Sequence, residues 1–518
     1  MDEEATRSRS RREGDDGGHS PPEAEASPES GGGSSEDDLD LISRLPDCIL
    51  GEIVTRLPTA DAVRIQLLST RWRHAWSSSP LNLDIGDDKL RRFHSYRSHR
   101  RLVSALLAVH PGPTRRLKLA HSDDRVYNRW LWDPAFNGLR ELEIDADRSW
   151  WYTSSSTKPL PDRALRFAPT LRVLKIGRVA FPSAFSSAAA SALRFPRLEL
   201  LSFLRIDVSE GTLHGVLAGC PVLKTLVLNH CTGFAKVHIT SPTITSFAIS
   251  ASQSHDYTAY PDEVVPVRLR QVVVEDAPLL EKLVPFREEL NGRSFELRVV
   301  NAPRLRVLGS LSMMISKLEL GAATVFNVTS RRVNHVTRES AVQEKRSLMH
   351  AVMLATTLPT VKVLAVEDVD CVHDVANFLR CFPRLEKIYV SVSNGFRSVG
   401  SYEKLNPIQC LEHHLKMVAI SGYEGKRSHV KLAKFFLRSA RVLQLMKFRS
   451  CSIFVTKGWI VDQQRQLQVR NMACHNVKFH FVPDSSYQDV YCGNYIEDMS
   501  LAIHDSSGDD PYHQWFES

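Results

Sequence analysis

Residues able to do covalent chemistry occur throughout this chain, but their spacing does not put them to work together. Nine cysteines are scattered with no Cys-x-x-Cys pair; the nearest things to ligand clusters are Cys220 with Cys231, and Cys410 beside His413-His414. A metal site needs closely spaced thiolate and imidazole ligands, and the surroundings of these cysteines read them as small buried or loop residues. His214 and His230 stand alone, and the carboxylate pairs Asp87-Asp88 and Asp123-Asp124 lie in polar connector sequence. A general base needs a substrate-facing site as well as a pKa. The sequence also lacks Gly-x-Gly-x-x-Gly, a phosphate loop, Gly-x-Ser-x-Gly and His-Glu-x-x-His. The reading is a non-catalytic chain that needs no metal and no cofactor, so its chemistry is association.

Association rests on clustered apolar groups, and the most informative cluster runs from Leu39 to Trp76. Leu45-Pro46 and Leu57-Pro58 each open a short amphipathic run. Proline suits the first turn of a helix, where the missing N–H costs nothing, and Asp47 and Asp61 then sit near positive helix ends. Ile49, Ile53 and Leu57 recur at helical spacing with Leu50 and Val54 beside them, while Val63 and Leu67 share a face. Ser69 fits an N-cap for a third helix that carries Trp72 and Trp76 one turn apart. So few residues make a marginal core, and the leftover apolar surface calls for a partner. The segment resembles the F-box, a three-helix module that docks on the Skp-type linker subunit of cullin-based ubiquitin ligases. The resemblance implies linker contacts by Leu45, Pro46, Ile49, Leu50, Ile53, Leu57, Pro58, Val63, Leu67, Trp72 and Trp76. It also implies cullin as a partner reached through the linker.

Behind this module one phrase keeps returning from about residue 138: proline, any residue, an aliphatic, two residues, an aliphatic, one residue, an aliphatic. It appears as Pro169-x-Leu171-x-x-Leu174-x-Ile176, and again from Pro196, Pro221, Pro242, Pro359 and Pro383, with degenerate copies at Pro278 and Pro303. Consecutive prolines are mostly some 21–27 residues apart, inside the leucine-rich-repeat period of about 20–29. Physically the phrase is a short parallel strand. Its last two aliphatics point inward, and proline precedes the strand, where it blocks no ladder bond. The intervening stretches Ala184–Phe195, Ser209–Gly219 and His373–Phe382 are compatible with helix, and stacked units share one core that no single unit could make. The repeat resembles the irregular leucine-rich repeats of plant F-box proteins. Residues 407–446, with the periodic run Val430–Met446, resemble the FBD region at the C-terminus of many of them. The expected fold is α/β (α+β): an N-terminal three-helix F-box followed by an irregular leucine-rich-repeat solenoid of mostly parallel strands, with helices or loops on its convex side.

The expected organisation is an acidic, disordered segment at 1–38, the F-box at 39–80, a helical and strand connector opening the array at 81–137, repeats at 138–400, an FBD-like cap at 401–450, and a tail with residual strands and a loose end at 451–518. The first segment holds 12 acidic and 4 basic residues, a net of −8, so the remaining 47 acidic and 62 basic residues leave the body at +15. A basic body suggests nucleic acid, particularly the arginines between Lys89 and Lys118. These mix with Leu90, Phe93, Leu102, Leu106 and Leu107, as in a helix with one wet basic face. The outward strand positions are also mostly small or apolar where a phosphate-tracking surface would carry rows of Lys and Arg. Nucleic acid is disfavoured, and no stretch reads as a membrane span or signal peptide. Free cysteines fit a reducing compartment, nucleus or cytoplasm. The resemblance therefore implies a substrate-receptor subunit of an SCF-type ligase, the other reading being a scaffold or regulator with no ligase role. The expected target face is the concave row bearing Leu200, Val227, Val363 and Tyr389 as exposed apolar groups, with Tyr389 its anchor; the other reading is that the FBD-like cap or the tail folds over this row and buries it within the chain.

Overall fold

The structure is a computed structural model that describes residues 42, 44–84, 96–120, 130–145, 158–181, 193–250, 267–286, 295–312, 315–321, 323–327, 357–397, 407–452, 454–468, 472–474, 476–484 and 510–512. The segments 1–38, Asp87-Asp88 and Asp123-Asp124, and most of Ala184–Phe195, for which the sequence raised expectations, lie outside the described residues.

Three short helices open the chain: α1 (Asp47–Arg56), α2 (Thr59–Arg64) and α3 (Thr70–Ser78). Pro46 and Pro58 stand just before the first two helices, with Asp47 and Asp61 in their first turns. Ser69 caps the third, its Oγ accepting from the Trp72 N–H at 3.3 Å. The strand β1 (Leu81–Asp84) follows, then helix α4 (Tyr96–Val109), β2 (Thr114–Ala120) and β3 (Glu141–Asp145). A two-stranded ribbon of β4 (Lys158–Pro159) and β6 (Val179–Ala180) flanks β5 (Val173–Gly177). Next come β7 (Leu200–Leu204), helix α5 (Glu210–Ala218) and β8 (Thr225–Asn229).

From there the chain alternates between two sheets. Strands β10 (Ser246–Ser250), β12 (Lys282–Phe286) and β14 (Val307–Leu311) continue the first sheet. Strands β9 (Lys236–Thr240), β11 (Gln271–Asp276), β13 (Phe295–Asn301) and β15 (Ile315–Leu320) form a second, closed off by antiparallel β16 (Ala323–Asn327). This is a correction: the expectation put helices or loops on the convex side, and along this stretch a second sheet takes their place. The cause is local. Lys236–Thr240 and Phe295–Asn301 alternate exposed and buried residues, and β-branched residues in a period of two favour strand over helix.

Beyond the second sheet run β17 (Val363–Cys371), α6 (Val372–Cys381), β18 (Lys387–Arg397), α7 (Gln409–His413), β19 (Met417–Ser421), α8 (Arg427–Ser439), β20 (Leu445–Cys451), α9 (Lys457–Leu467) and β21 (Lys478–Asp484). Among the described residues the first sheet thus has fourteen strands, with every neighbouring pair parallel. One ladder of core residues crosses it from edge to edge. It starts Leu83, Leu117, Leu142, Leu174, Leu201, Leu226, Phe247, Leu283, and continues Leu308, Leu364, Ile388, Val418, Met446, Phe479. Leu174, Leu201, Leu226, Phe247, Leu364 and Ile388 take equivalent places on it, all buried in one continuous core, with Leu283 and Leu308 standing between Phe247 and Leu364. That core is closed from the other side by helices α5, α6 and α8 and by the second sheet. Two strands, β20 and β21, extend the sheet past β19 and α8, so the 407–446 segment is an internal unit and not the terminal cap. The tail is not wholly loose either, because Asp510, Pro511 and Tyr512 are buried.

Candidate functional site

The three N-terminal helices hold a small core of Leu50, Val54, Ala62, Ala75 and Trp76, against which Leu45, Ile53, Leu57, Ile65 and Trp72 pack. Arg71 ties the start of α1 to α3, its Nε donating to Asp47 Oδ1 at 2.7 Å and its guanidinium to the Leu45 carbonyl. Apolar groups left outside, together termed the crest, are Leu67 at 85% exposure, Leu68 at 68% and Ile49 at 43%, and Pro46 and Pro58 are exposed as well. Leu45, Ile53, Leu57, Val63 and Trp72 are half-buried. Leu50 and Trp76 are 1% and 3% exposed, which corrects their expected role. They are part of the module's own core. Leu68, which periodicity passed over, belongs to the exposed set because it follows Leu67 in the tight turn leading to Ser69.

The module is anchored to the array. Asn82 of β1 donates to the Thr55 carbonyl, Thr59 Oγ1 donates to the Asn82 carbonyl at 3.0 Å, and the Asp84 N–H donates to Thr59 Oγ1 at 2.8 Å. His110, after α4, meets the Trp76 ring edge-on at 4.5 Å, with its Nε2 3.1 Å from the Trp76 carbonyl oxygen. Leu106 of α4 packs against both cores. The apolar crest is therefore held at a set place relative to the first strands of the sheet.

The face of the sheet turned away from the core carries two further rows. One runs through Asp84, Lys118, Glu143, Lys175, Ser202, Val227, Ala248 and Val284, resuming as Ala365, Tyr389, Ala419, Lys447 and His480. The other includes Arg116, Glu141, Val173, Leu200, Thr225, Ser246, Lys282, Val307, Val363, Lys387, Met417 and Leu445. The first strands make a charged lattice: Lys118 lies 3.2 Å from Glu143 and 3.9 Å from Asp84, and Arg116 lies 3.5 Å from Glu143. Burial alone would push the Glu143 carboxyl up, but Lys118, Lys175 and Arg116 outweigh it and hold it below the usual carboxylate range. Burial pulls the Lys175 ammonium down, with Glu143 only partly offsetting it. Alternating signs of this kind suit a protein surface better than a phosphate backbone.

Farther along, the face is apolar and covered. Val227, Val363 and Tyr389 are 0%, 7% and 4% exposed, and Leu200 is half-buried. The expectation of an exposed apolar row is corrected at three of its four positions. They form a second buried cluster with Ala248, Val284, Val307, Ala365, Met417, Ala419 and Tyr512. Asp510 and Tyr512, residues that no sequence pattern singled out, lie on the Tyr389 end of it. Asp510 Oδ2 accepts from Lys387 Nζ at 2.7 Å and from the Tyr389 hydroxyl at 2.8 Å. The rings of Tyr389 and Tyr512 are 5.0 Å apart.

Among the described residues no group of three or more His, Cys, Asp or Glu is arranged to hold a metal ion. Cys220, Cys231 and Cys410 are buried, and burial pushes each thiol up to about 12. Among the described residues no helix is long and apolar enough to cross a membrane.

These features are those of a repeat protein with a helical docking module at one end, and comparison with known proteins agrees. Residues 127–390 match the family described as FBD-associated F-box protein At5g56370, LRR repeats; residues 42–84 match the F-box domain and residues 403–448 the FBD. F-box/FBD/LRR-repeat protein At2g04230 of Arabidopsis thaliana is 25% identical over 83% of this chain and 93% of its own length. F-box/FBD/LRR-repeat protein At1g13780 of the same plant is 22% identical over 84% and 97%, and FBD-associated F-box protein At5g22730 is 23% identical over 85% and 94%. The chain belongs to the family of plant F-box proteins with leucine-rich repeats and a C-terminal FBD region.

Proposed function

We propose that this chain is the non-catalytic substrate-recognition subunit of an SCF-type cullin ubiquitin ligase. The F-box docks on a Skp-type linker through the crest of Ile49, Leu67 and Leu68, and the linker joins it to cullin. The repeats hold a target protein on the face of the sheet turned away from the core. The observation that carries the reading is the crest itself, since Leu67 and Leu68 are 85% and 68% exposed in a module whose own core is already complete without them. Large aliphatics clustered in water favour a covering partner. The mechanism is proximity: a target held on a fixed array is presented to the ubiquitin-charged enzyme at raised effective concentration. Co-purification with the linker and cullin, followed by cullin-dependent ubiquitin transfer, tests it. A chain that captures neither subunit ends the reading; one that captures the linker and supports no transfer is a scaffold.

A further inference from the structure

The outer face of the sheet around β17 to β19 is a built seat, and the chain's own Asp510-Pro511-Tyr512 occupies it. Its floor is made of small side chains, Ala365 and Ala419 on either side of Tyr389. This leaves depth for a ring, and Tyr512 fills it to 0% exposure. Lys387 and the Tyr389 hydroxyl stand at one side, two donors that converge on one carboxylate oxygen of Asp510. The other oxygen accepts from the Tyr512 N–H at 3.2 Å, which sets carboxylate and ring in a tight turn two residues apart. A charge-assisted hydrogen bond beside a buried aromatic pair is the combination that dominates recognition energetics at protein interfaces. Beside Asp510 lies a pocket of about 120 Å³ whose walls mix Lys282, Arg306 and Lys362 with Glu281 and Glu386, so there is polar room of both signs for flanking residues of a bound segment.

We propose that this seat is where the target is read. It takes a peptide segment bearing a carboxylate and, two residues on, an aromatic ring, and residues 510–512 act as an internal mimic that a target must displace. The proposal rests on the reading of the repeats as a target holder. It predicts an affinity lowered by self-occupancy, because a ligand binds only the fraction of molecules whose seat is open.

The test uses the full-length chain and a fluorescent synthetic peptide with the sequence of residues 506–516. A D510A/Y512A chain, with its own segment no longer able to compete, binds the peptide about ten-fold more tightly than the unaltered chain. Adding Lys387→Glu abolishes that gain, and a peptide with Asn and Ala in place of the Asp510 and Tyr512 equivalents does not bind. If the double variant loses its cooperative melt, Asp510→Asn alone removes only the charge and leaves the ring in place, and a smaller gain of the same sign is expected. Absence of peptide binding to a folded opened chain, or binding that survives Lys387→Glu, overturns the proposal. Linker co-purification is scored in the same preparations: if it is intact while peptide binding is absent, the seat alone is wrong. If the unaltered chain fails to capture the linker, the underlying reading is wrong.

Discussion

The imidazole of His110 stands edge-on to the indole of Trp76 at 4.5 Å and places Nε2 3.1 Å from the same residue's carbonyl oxygen. The carbonyl can only accept, so Nε2 carries a proton, while Nδ1 lies 3.1 Å from the Gly112 nitrogen and 3.2 Å from the Gly112 carbonyl oxygen. Gly112 is required at that approach, since a Cβ there would meet His110 Cε1 at 2.8 Å. One side chain thus joins the last helix of the F-box to the loop that feeds β2. His110→Ala removes a buried hydrogen bond and an aromatic contact, worth about 2 kcal/mol together. The variant should melt several degrees lower while still co-purifying with the linker, because the exposed crest is untouched. A wild-type melting curve would remove His110 from the junction.

Leu50 and Leu67 are both leucines of the docking module, yet they should fail in opposite ways. Leu67→Glu with Leu68→Glu puts charge on a crest that water already reaches, so the melting temperature stays within the error of the unaltered chain and linker capture is lost. Leu50→Ala opens a cavity in a core position 1% exposed and costs about 2–5 kcal/mol of stability. Linker capture should fall only in proportion to unfolding. Calorimetry and a linker pull-down on the two variants separate contact from scaffold.

Thiol reactivity offers a covalent check on the same geometry. Burial pushes Cys220, Cys231 and Cys410 up to about 12, so at pH 8 about one thiol in 10⁴ is the reactive thiolate. Cys48, next to Ile49 on α1, is exposed. Mild alkylation of the native chain followed by peptide mass spectrometry should modify Cys48 and spare the other three until denaturant is added. Saturating linker subunit should protect Cys48. Labelling of Cys231 in the native state would contradict the sealed core.

What could be read in advance follows from the range of each signal. The strands were legible because a proline and three aliphatics fall within eight residues, and Leu174, Leu201 and Leu226 announce one another at intervals of 25–27 residues. The second sheet was not, although Val237 and Ile239 alternate correctly, because its strands lack the proline phrase and short connectors rarely declare their partner. In the F-box, helical spacing put Trp72 and Trp76 on one stripe but could not say how far round the stripe the core extends, and Trp76 proved to be inside it. The seat on β18 was out of reach for another reason. Tyr389 and Asp510 are 121 residues apart, and no local pattern links a lysine-tyrosine pair in a strand to an Asp-Pro-Tyr turn in a polar tail.

The FBD segment should give the protein a pH-dependent stability that begins to fail in mild acid. His429, on α8, is 3% exposed, and its Nδ1 accepts from the Glu424 N–H at 3.0 Å, a bond that exists only while Nδ1 is unprotonated. Burial, aided by Lys426 and opposed by Glu424, holds this imidazole below its ordinary value of 6.5. The unfolded chain therefore takes up the proton first as pH falls, and by linkage the folded state loses ground. Stability is full above the unfolded value, and is lost progressively from there down to the depressed folded value. His214, also lowered by burial and accepting from the His238 N–H at 3.1 Å, adds a contribution of the same sign. Urea titrations at about pH 7.5 and about pH 5.5 should show the midpoint dropping in acid for the unaltered chain. His429→Gln, which keeps a polar group but cannot take up a proton, should be less stable at the higher pH and show a smaller drop. An equal drop in the variant would mean that His429 has no part in the effect.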